Sequence, residues 1–356
     1  MSQSLINLLR LNFSAFEPPW FLQYSYKLLG EARLWPWKKE VLYFLIDWLS
    51  EGERMQVTTS GSTGNPKRIS LSKKHMEASA KATLDFFGLK IGDKALLCLP
   101  EKYIAGKMMI VRALVGKLDL YCIEPTSSPM AELPEIDFAA MTPAQVSGLM
   151  ETAEGLHFLN SIRQLILGGS FIPQKLEQQL QKLKTDVWHT YGMTETITHI
   201  ALRKVNGAGA SDYFSLLPGV EIKMAEDGCL QIDAPNIGVH QMKTNDLIEI
   251  SETRFRILGR KDNVVISGGV KLFPELIEKK LEACIDTRFF LTGIPDKKYG
   301  EKLVLVIEKR DKQKLNKNQL WELIQARLTG FEIPKEIVFV NEIKLSRNGK
   351  IIRQMI

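Results

Sequence analysis

The chain has 356 residues, and its 47 lysines and arginines against 41 aspartates and glutamates give a net charge of +6. With 45% hydrophobic and 25% charged residues, the composition is that of a globular protein and excludes a disordered or fibrous one. The charges are scattered, which argues against a nucleic-acid-binding arm. A single core rarely extends beyond roughly 250–300 residues, so we expect two domains.

The first half of the chain predicts an α/β body. Its first 50 residues are rich in Trp and Phe and predict short helices and loops that cover this body. A helix is expected from Ser72 to Phe87, with Ser72 and Gly88 as caps. Its apolar stripe is Met76, Ala80, Thr83, Leu84 and Phe87. Short apolar runs (95–99, 118–123 and 164–167) then alternate with helical patterns such as 173–183, which favours a largely parallel sheet.

The second half changes character twice. Short strand-like runs separated by turn residues predict a β-rich subdomain at about 215–259. Beyond it, a small α+β pattern contains helices at 274–283 and 318–328 and strands at 303–307 and 337–340. We therefore expect a large N-terminal α/β domain, residues 1–259, joined by a hinge to a mobile C-terminal domain, residues 260–356.

The cysteines and the N-terminal segment indicate the cellular compartment of the protein. Cys98, Cys122, Cys229 and Cys284 lie far apart without CxxC spacing, which predicts buried free thiols and neither a zinc site nor a disulfide framework. No signal peptide is recognisable, and the longest apolar run near the start, 41–46, is far shorter than the ~20 residues of a membrane-spanning helix. We expect a cytoplasmic protein that does not insert into membranes.

A loop rich in hydroxyls and glycines is the most informative segment. Its residues are Thr58, Thr59, Ser60, Gly61, Ser62, Thr63, Gly64, Asn65, Pro66 and Lys67. Glycines let backbone N–H groups turn toward a ligand, hydroxyls donate further hydrogen bonds, and a lysine adds charge, which together suit a polyphosphate. Gly64 and Lys67 are not adjacent, as a Walker A loop requires. A flexible linker is the alternative interpretation.

Residues 59–67 resemble the T-S-G-[ST]-T-G-x-P-K signature of the acyl-adenylate-forming superfamily, which includes acyl-CoA ligases. Further segments resemble its other motifs in the same order. Gly168, Gly169 and Ser170 match the Gly-rich strand end at the adenine pocket. The run Tyr191, Gly192, Met193, Thr194, Glu195 matches Y-G-x-T-E, which supplies an aromatic face for adenine, a hydroxyl for the α-phosphate and a carboxylate for Mg²⁺.

The remaining motifs concern ribose, the hinge and the C-terminal domain. Thr244-Asn245-Asp246 stands where the family has T-G-D, so the resemblance assigns Asp246 to the ribose hydroxyls; Asn245 replaces the glycine, and asparagine tolerates a left-handed turn. Arg260 and Asp262 match G-R-x-D, a ribose contact and the hinge residue. Gly268, Gly269 and Lys271 resemble the loop that lines the CoA pantetheine tunnel. Asn348, Gly349, Lys350 and Arg353 match N-G-K-[ILV]-x-R, whose lysine catalyses adenylation.

The segment 99–107, with Val111-Arg112, bears on the acid. It resembles L-P-x-x-H-x-x-G, with Tyr103 in place of the histidine. Arg112 lies where o-succinylbenzoate–CoA ligases carry a cation near their dicarboxylate substrate, and Thr198-His199-Ile200 is also closest to those ligases. Arg112 as a charge on a helix surface is the alternative. Fifty-eight residues precede Thr59, fewer than is typical of the family, which leaves a homodimer open.

The resemblance implies two half-reactions. A carboxylate attacks the α-phosphorus of ATP to give an acyl-adenylate and pyrophosphate, with Lys350, Thr194, Lys67 and the Mg²⁺ ligand Glu195 as the active groups. CoA then displaces AMP after the C-terminal domain rotates about Asp262. The expected partners are small molecules: the acid, ATP and CoA. A carrier-protein thiol as acceptor, a different acid, or a nucleotide-binding protein without turnover are the alternatives.

Overall fold

The structure, a computed structural model, describes residues 8–58, 68–309, 317–345 and 351–353. In chain order the strands are β1 (Leu8–Asn12), β2 (Arg54–Thr58), β3 (Arg68–Ser72), β4 (Lys94–Leu97), β5 (Asp119–Ile123), β6 (Ile136–Met141), β7 (Ile162–Leu167), β8 (Asp186–Gly192), β9 (His199–Lys204), β10 (Phe214–Leu216), β11 (Glu221–Met224), β12 (Cys229–Ala234), β13 (Val239–Ser251), β14 (Arg254–Arg260), β15 (Val265–Ser267), β16 (Val270–Leu272), β17 (Phe289–Asp296), β18 (Gly300–Glu308) and β19 (Glu336–Val340). The helices are α1 (Pro18–Leu29), α2 (Pro36–Leu49), α3 (Lys73–Phe87), α4 (Ile104–Val115), α5 (Pro143–Leu149), α6 (Ala153–Asn160), α7 (Gln174–Leu180), α8 (Pro274–Leu281) and α9 (Lys317–Arg327).

A mixed sheet runs through the larger part of the chain. Its order is β1-β5-β4-β6-β7-β8-β9-β10-β14-β13-β12-β11. The segment from β5 to β8 is parallel, whereas every pair from β8 to β11 is antiparallel. The predicted α/β fold class is confirmed. The predicted largely parallel sheet holds only for β5 to β8, because β1 and the strands beyond β8 pair antiparallel with their neighbours.

Both faces of the parallel centre are buried. In β4 the neighbours Leu96 and Leu97 point to opposite faces and belong to separate hydrophobic cores. Strands buried on both faces read as continuous apolar runs, which is why they are recognisable in the sequence.

The β-rich region extends the large sheet and does not form a sheet of its own. In it, β13 is a single 13-residue strand, where the apolar pattern indicates only the short run 247–250. Exposed polar residues such as Lys243 interrupt the apolar pattern along β13 although Lys243 is paired with Gln231 of β12; the register against β12 then shifts between Lys243 and Leu247. Chain order alone does not reveal that these strands continue the large sheet.

A two-stranded hairpin holds the predicted phosphate loop. β2 pairs antiparallel with β3, with Thr58 opposite Arg68. The nine residues between them, 59–67, therefore connect two adjacent strand ends. Those residues lie outside the described part of the chain, and the predictions made for them remain predictions.

The C-terminal region has a sheet and a core of its own. Strands β15 to β19 form a five-stranded sheet in which β18 pairs with β15, β17 and β19. The helices α8 and α9 contribute Ile277 and Ile324 to its core, beside Leu305 of β18. The change of sheet falls between Arg260 and Val265.

Two local expectations are wrong. Ser72 precedes α3, but its side chain makes no capping hydrogen bond, while Gly88 does end the helix with a left-handed φ of +61°. Asn245 is not among the described residues with positive φ. It lies inside β13, between Lys243 and Leu247, where β13 shifts its register against β12 without a left-handed residue at this position.

The cysteine prediction is confirmed where the structure bears on it. All four thiols are free; Cys98, Cys122 and Cys229 are buried, and Cys284 is half-buried. Burial raises the pKa of Cys98 to about 12, so this thiol is inert at neutral pH. No helix in the described part of the chain is long and apolar enough to span a membrane.

Candidate active site

The carboxyl ends of β7 and β8 bring the predicted adenine-site residues together. These strands are parallel neighbours, so Gly168 to Ser170, which follow β7, lie beside Tyr191 and Gly192, which end β8. A Cβ at Gly168 would lie 2.7 Å from Thr190 Oγ1, and Gly169 has a φ of +88° that favours glycine. Ligands of open α/β sheets bind at this edge.

A buried histidine supports the loop after β7. His189 Nε2 lies 3.1 Å from the Ser170 carbonyl oxygen, and Arg203 Nε lies 3.2 Å from His189 Nδ1. Because arginine can only donate, Nδ1 is the acceptor and Nε2 carries the proton. Burial, and then the charge of Arg203, lower the pKa of His189 to about 3, so this histidine is neutral at pH 7.

An ion-pair network joins this edge to α8. Arg203 Nη1 is 2.6 Å from Glu177 Oε1. Lys279 of α8 places its Nζ 3.5 Å from Glu177 Oε2 and 3.4 Å from Asp212 Oδ1. The backbone N–H of Gln174 also donates to the Glu282 carboxylate. These contacts hold the C-terminal sheet and its helices against the large sheet.

The predicted ribose site is a chain of hydrogen bonds. The Tyr191 hydroxyl donates to Asp246 Oδ2 at 2.6 Å, and Arg260 Nη1 donates to Asp246 Oδ1 at 3.0 Å. Burial and the Asp246 charge raise the pKa of Tyr191, so its hydroxyl stays protonated and donates. The Asp246 carboxylate is therefore compensated on both oxygens.

The predicted hinge residue touches the ribose site. Asp262 Oδ2 lies 3.4 Å from Arg260 Nη2 and accepts a hydrogen bond from Asn245 Nδ2 at 3.1 Å. Asn245, where the family pattern has glycine, thus supplies a side-chain contact that glycine cannot make. Asp262 lies in the short turn between the two sheets.

The segment after β8 is sharply folded. Thr194 to Thr196 form a single 3₁₀ turn. Ile197, which is buried, has a φ of +64°, and the Thr198 N–H donates to the Thr196 carbonyl at 2.7 Å, which closes a strained γ-turn. Gly192 passes so close that a Cβ there would lie 2.2 Å from the Thr198 carbonyl oxygen. This fold separates Glu195, which is exposed, from Thr198, which faces inward.

Glu195 fits the role of a magnesium ligand. Mg²⁺ bound with a nucleotide takes one or two carboxylates from a protein and fills its other positions with phosphate oxygens and water. Glu195 is an exposed carboxylate beside the half-buried Thr194. Among the described residues, no group of three His, Cys, Asp or Glu side chains could hold a metal ion.

Arg112 is the most unusual residue of the site. It is 1% exposed, which excludes the alternative of a charge on a helix surface. Its Nε donates to Thr83 Oγ1 at 3.2 Å and its Nη2 to Thr198 Oγ1 at 2.9 Å, while Nη1 lies 3.7 Å from Met109 Sδ. In the part of the chain that the structure describes, no carboxylate pairs with it. Burial lowers the pKa of Arg112 to about 9, so it remains a cation at pH 7.

His199 completes this cluster. Its Nε2 lies 3.1 Å from Thr83 Oγ1, and its Nδ1 lies 3.4 Å from Thr198 Oγ1. Burial and the nearby Arg112 charge lower the pKa of His199 well below its usual value, so it is neutral. We call Thr83, Arg112, Thr198 and His199 the arginine cluster.

Thr83 is the member of the arginine cluster that the sequence pattern does not predict. The helical spacing of α3 assigns it to the apolar stripe, and it is buried there as expected. Its hydroxyl, however, contacts both Arg112 and His199. A hydroxyl in an otherwise apolar helix stripe was the available signal, because a buried polar group needs a partner.

Tyr103 is not brought into the arginine cluster. It precedes α4, is half-buried, and lies beneath Lys102, with Lys102 Nζ 5.2 Å from the ring centroid. No hydrogen bond or ring contact in the described structure joins Tyr103 to Arg112, and its role remains a prediction.

The predicted CoA-site residues form the turn between β15 and β16. Gly268 and Gly269 have φ of +58° and +82°, and a Cβ at Gly268 would lie 2.9 Å from Phe331 Cε1. Lys271 is exposed. Lys350 lies outside the described residues; on either side of it, Leu345 pairs with Ile351.

The chain is similar to known proteins in sequence. Residues 56–236, just over half of the chain, match the AMP-binding enzyme family. A 2-succinylbenzoate–CoA ligase from Lactococcus lactis is 25% identical over 335 residues, which are 86% of this chain and 71% of that protein. An indoleacetate–CoA ligase from Aromatoleum aromaticum is 25% identical over 343 residues, 84% of this chain and 66% of that protein.

A solved structure covers nearly the whole chain. The acyl-CoA synthetase (AMP-forming)/AMP-acid ligase II-like protein from Dyadobacter fermentans is 33% identical, with 97% of each chain covered and a TM-score of 0.66. Together with the match over residues 56–236, this shows that the chain belongs to the AMP-binding enzyme family.

Proposed function

We propose that this chain, an AMP-forming acid–CoA ligase, converts o-succinylbenzoate, ATP and CoA to o-succinylbenzoyl-CoA, AMP and pyrophosphate. The class of enzyme follows from the family and from the names of its relatives. The observation that supports this acid is the buried Arg112, whose described partners are neutral.

A buried cation without a paired anion is costly. Two hydroxyls and a thioether solvate Arg112 in part but leave its charge uncompensated. A substrate that retains a free carboxylate while another is activated would supply the missing charge. O-succinylbenzoate is such a dicarboxylate, and the acid ligases that the sequence resembles carry a cation at this position.

The first half-reaction forms the acyl-adenylate. An oxygen of the substrate carboxylate bonds to the α-phosphorus of ATP as the bond to the bridging pyrophosphate oxygen breaks. Repulsion between anions dominates this barrier, so catalysis rests on positioning and charge. We assign Lys67, Thr194 and Lys350 to the phosphates, and Glu195 to the Mg²⁺ that accompanies ATP. Asp246, Arg260 and Tyr191 would hold the nucleoside.

The second half-reaction transfers the acyl group. The CoA sulfur bonds to the acyl carbon, the bond to the adenylate oxygen breaks, and AMP leaves. We propose that residues 260–356 rotate about Asp262 and present Gly268, Gly269 and Lys271 to CoA. The ion pairs of Lys279 with Glu177 and Asp212 would break in that rotation. We place the reaction in the cytoplasm, where ATP and CoA are available.

The indoleacetate–CoA ligase relative favours a second candidate, an aromatic acid with one carboxylate. Such a substrate would leave the Arg112 charge without an anion. A carrier-protein thiol in place of CoA would use the same residues, and loss of turnover would leave nucleotide binding alone.

The test is to incubate the purified protein with ATP, Mg²⁺, CoA and o-succinylbenzoate, and to measure the thioester by mass spectrometry and AMP release. We expect both products, dependent on that acid. Thioesters with indoleacetate or other acids, but not with o-succinylbenzoate, would contradict the proposed substrate and keep the enzyme class. ATP binding without turnover of any acid would contradict the enzymatic role.

A further inference from the structure

We propose that Thr83 is a positioning residue of the acid site: its hydroxyl fixes the direction of the Arg112 guanidinium and holds His199 as the Nε2–H tautomer. The inference rests on the proposed function for its kinetic consequence, because Arg112 is taken there as the ligand of a substrate carboxylate. Its structural part concerns the unliganded protein.

The hydroxyl of Thr83 has three polar neighbours. They are Arg112 Nε at 3.2 Å, the Ser79 carbonyl oxygen at 3.2 Å and His199 Nε2 at 3.1 Å. A threonine hydroxyl donates one hydrogen bond and accepts two. Arg112 Nε can only donate and the Ser79 carbonyl can only accept. All three contacts are satisfied together if His199 Nε2 donates.

The other side of the imidazole agrees with this assignment. With the proton on Nε2, His199 Nδ1 is an acceptor, and the Thr198 hydroxyl, 3.4 Å away, donates to it. Thr198 Oγ1 still accepts from Arg112 Nη2 at 2.9 Å. In the opposite tautomer, the Thr198 hydroxyl proton would have no described acceptor. The Thr83 hydroxyl would then donate to His199 Nε2 and no longer to the Ser79 carbonyl oxygen. The Nε2–H tautomer therefore makes one more hydrogen bond.

The arrangement leaves part of the guanidinium for a ligand. Thr83 holds Nε, and Thr198 holds one N–H of Nη2. Nη1 meets Met109 Sδ at 3.7 Å, a weak contact. In the described structure the N–H groups of Nη1 and the second N–H of Nη2 thus have no oxygen partner, and a carboxylate can accept two N–H groups of a guanidinium. The hydroxyl on α3 and the hydroxyl on the strained turn together determine where these N–H groups point.

The decisive variants are Thr83→Val, which keeps the shape and removes the hydroxyl, and Thr83→Ser, which keeps the hydroxyl. A matched control is Thr185→Val, which removes another buried threonine hydroxyl, one that donates to the Leu159 carbonyl oxygen away from the site. We expect Thr83→Val to raise the KM for the acid by about tenfold or more, because a hydrogen bond to a charged group is lost. The KM for ATP should change less than about threefold, and Thr83→Ser and Thr185→Val should stay near wild type.

A second measurement does not depend on the acid. Nitrogen-15 NMR of the histidine rings reports the tautomer, and the His199 signals are assigned by their loss in His199→Gln. We expect the Nε2–H form in the wild type and in Thr83→Ser, and a change in tautomer or exchange between tautomers in Thr83→Val.

The outcomes separate the two proposals. If the wild type forms no thioester with o-succinylbenzoate, the proposed substrate fails, and the NMR measurement still decides on Thr83. An Nδ1–H form of His199 in the wild type would overturn the inference. So would equal effects of Thr83→Val and Thr83→Ser, or a rise in the KM for ATP as large as that for the acid.

Discussion

Two arginines divide the candidate site into regions of opposite character. Arg260 has a side chain that is 40% exposed and pairs with Asp246 and Asp262. Arg112 is 1% exposed, and its described hydrogen-bond partners are uncharged. The Arg260 charge is thus compensated within the protein, whereas the Arg112 charge has no anionic partner among the described residues.

Whether an arginine has an anionic partner affects the stability of the protein as well as ligand binding. A partly exposed ion pair contributes at most about 1 kcal/mol, so the Arg260 region can be changed at little cost to the fold. A buried cation without an anion destabilises a folded protein. If Arg112 binds the substrate carboxylate, as proposed, its removal should improve stability and harm activity.

The largest loss of activity should come from substitution of Lys350, which belongs to neither the Arg260 region nor the Arg112 region. We expect Lys350→Ala to reduce pyrophosphate formation by at least about 10²-fold, because a charge at the reacting phosphate is lost. Transfer of the acyl group from preformed acyl-adenylate to CoA should be spared, since that step does not use Lys350. Separate assays of the two half-reactions measure this. Equal loss in both would remove the assigned role.

Arg112→Ala should be next in size. Loss of a buried charged hydrogen-bonding partner costs about 2–4 kcal/mol, or roughly 30- to 1000-fold in kcat/KM for o-succinylbenzoate. Steady-state kinetics should show little change in the KM for ATP. Arg112→Lys is a matched control variant, because it retains the positive charge but cannot form the bidentate hydrogen bonds of a guanidinium. Unchanged kinetics with this acid would exclude Arg112 from its site.

Two buried histidines, one beside each kind of arginine, should make the stability of the protein depend on pH. His189, beside the compensated Arg203, and His199, beside Arg112, both have lowered pKa values in the folded protein. Below about pH 6.5 the unfolded chain binds more protons, so stability falls as the pH falls, by up to about 1.4 kcal/mol per pH unit for each histidine. For His189 this loss continues to about pH 3. Urea unfolding between pH 7 and 5 should show a flatter dependence in His189→Gln; an unchanged slope would contradict the neutral, buried assignment.

Arg260→Ala should give the smallest of these effects. We expect a rise of about three- to tenfold in the KM for ATP, because the contact is partly exposed and Tyr191 still holds Asp246. The KM for the acid should not change. A larger effect on the acid than on ATP would contradict the division of the site into two regions.

The sequence predicts the parallel centre of the sheet and the motifs at its edge because both are local. Continuous apolar runs mark β4, β5 and β7, and the motif residues are contiguous in the chain. The arginine cluster is not local: Thr83, Arg112 and Thr198 come from α3, α4 and the turn before β9. The helical spacing therefore places Thr83 in the apolar stripe, and the sequence alone does not distinguish a buried Arg112 from a surface charge.

The course of β13 was hidden for a related reason. Periodicity reports buried side chains, whereas backbone pairing also includes exposed residues such as Lys243. Asn245 replaces a glycine of the family pattern, which suggests a left-handed turn. In the structure Asn245 lies within β13, has no positive φ and contacts Asp262. A motif thus locates a site without determining its backbone geometry.

We propose that Arg112 binds the free carboxylate of the acid, and thermal unfolding of the wild type and Arg112→Met, with and without o-succinylbenzoate, measures this. An ATP analogue with a methylene group in place of the α–β bridging oxygen is present throughout, so that no adenylate forms. Without the acid, we expect the variant to melt about 2–5 °C higher than the wild type, because a buried unpaired charge is removed. We also expect the acid to raise the melting temperature of the wild type and to leave that of the variant unchanged. A variant that melts lower than the wild type and is stabilised equally by the acid would show that Arg112 does not bind the acid.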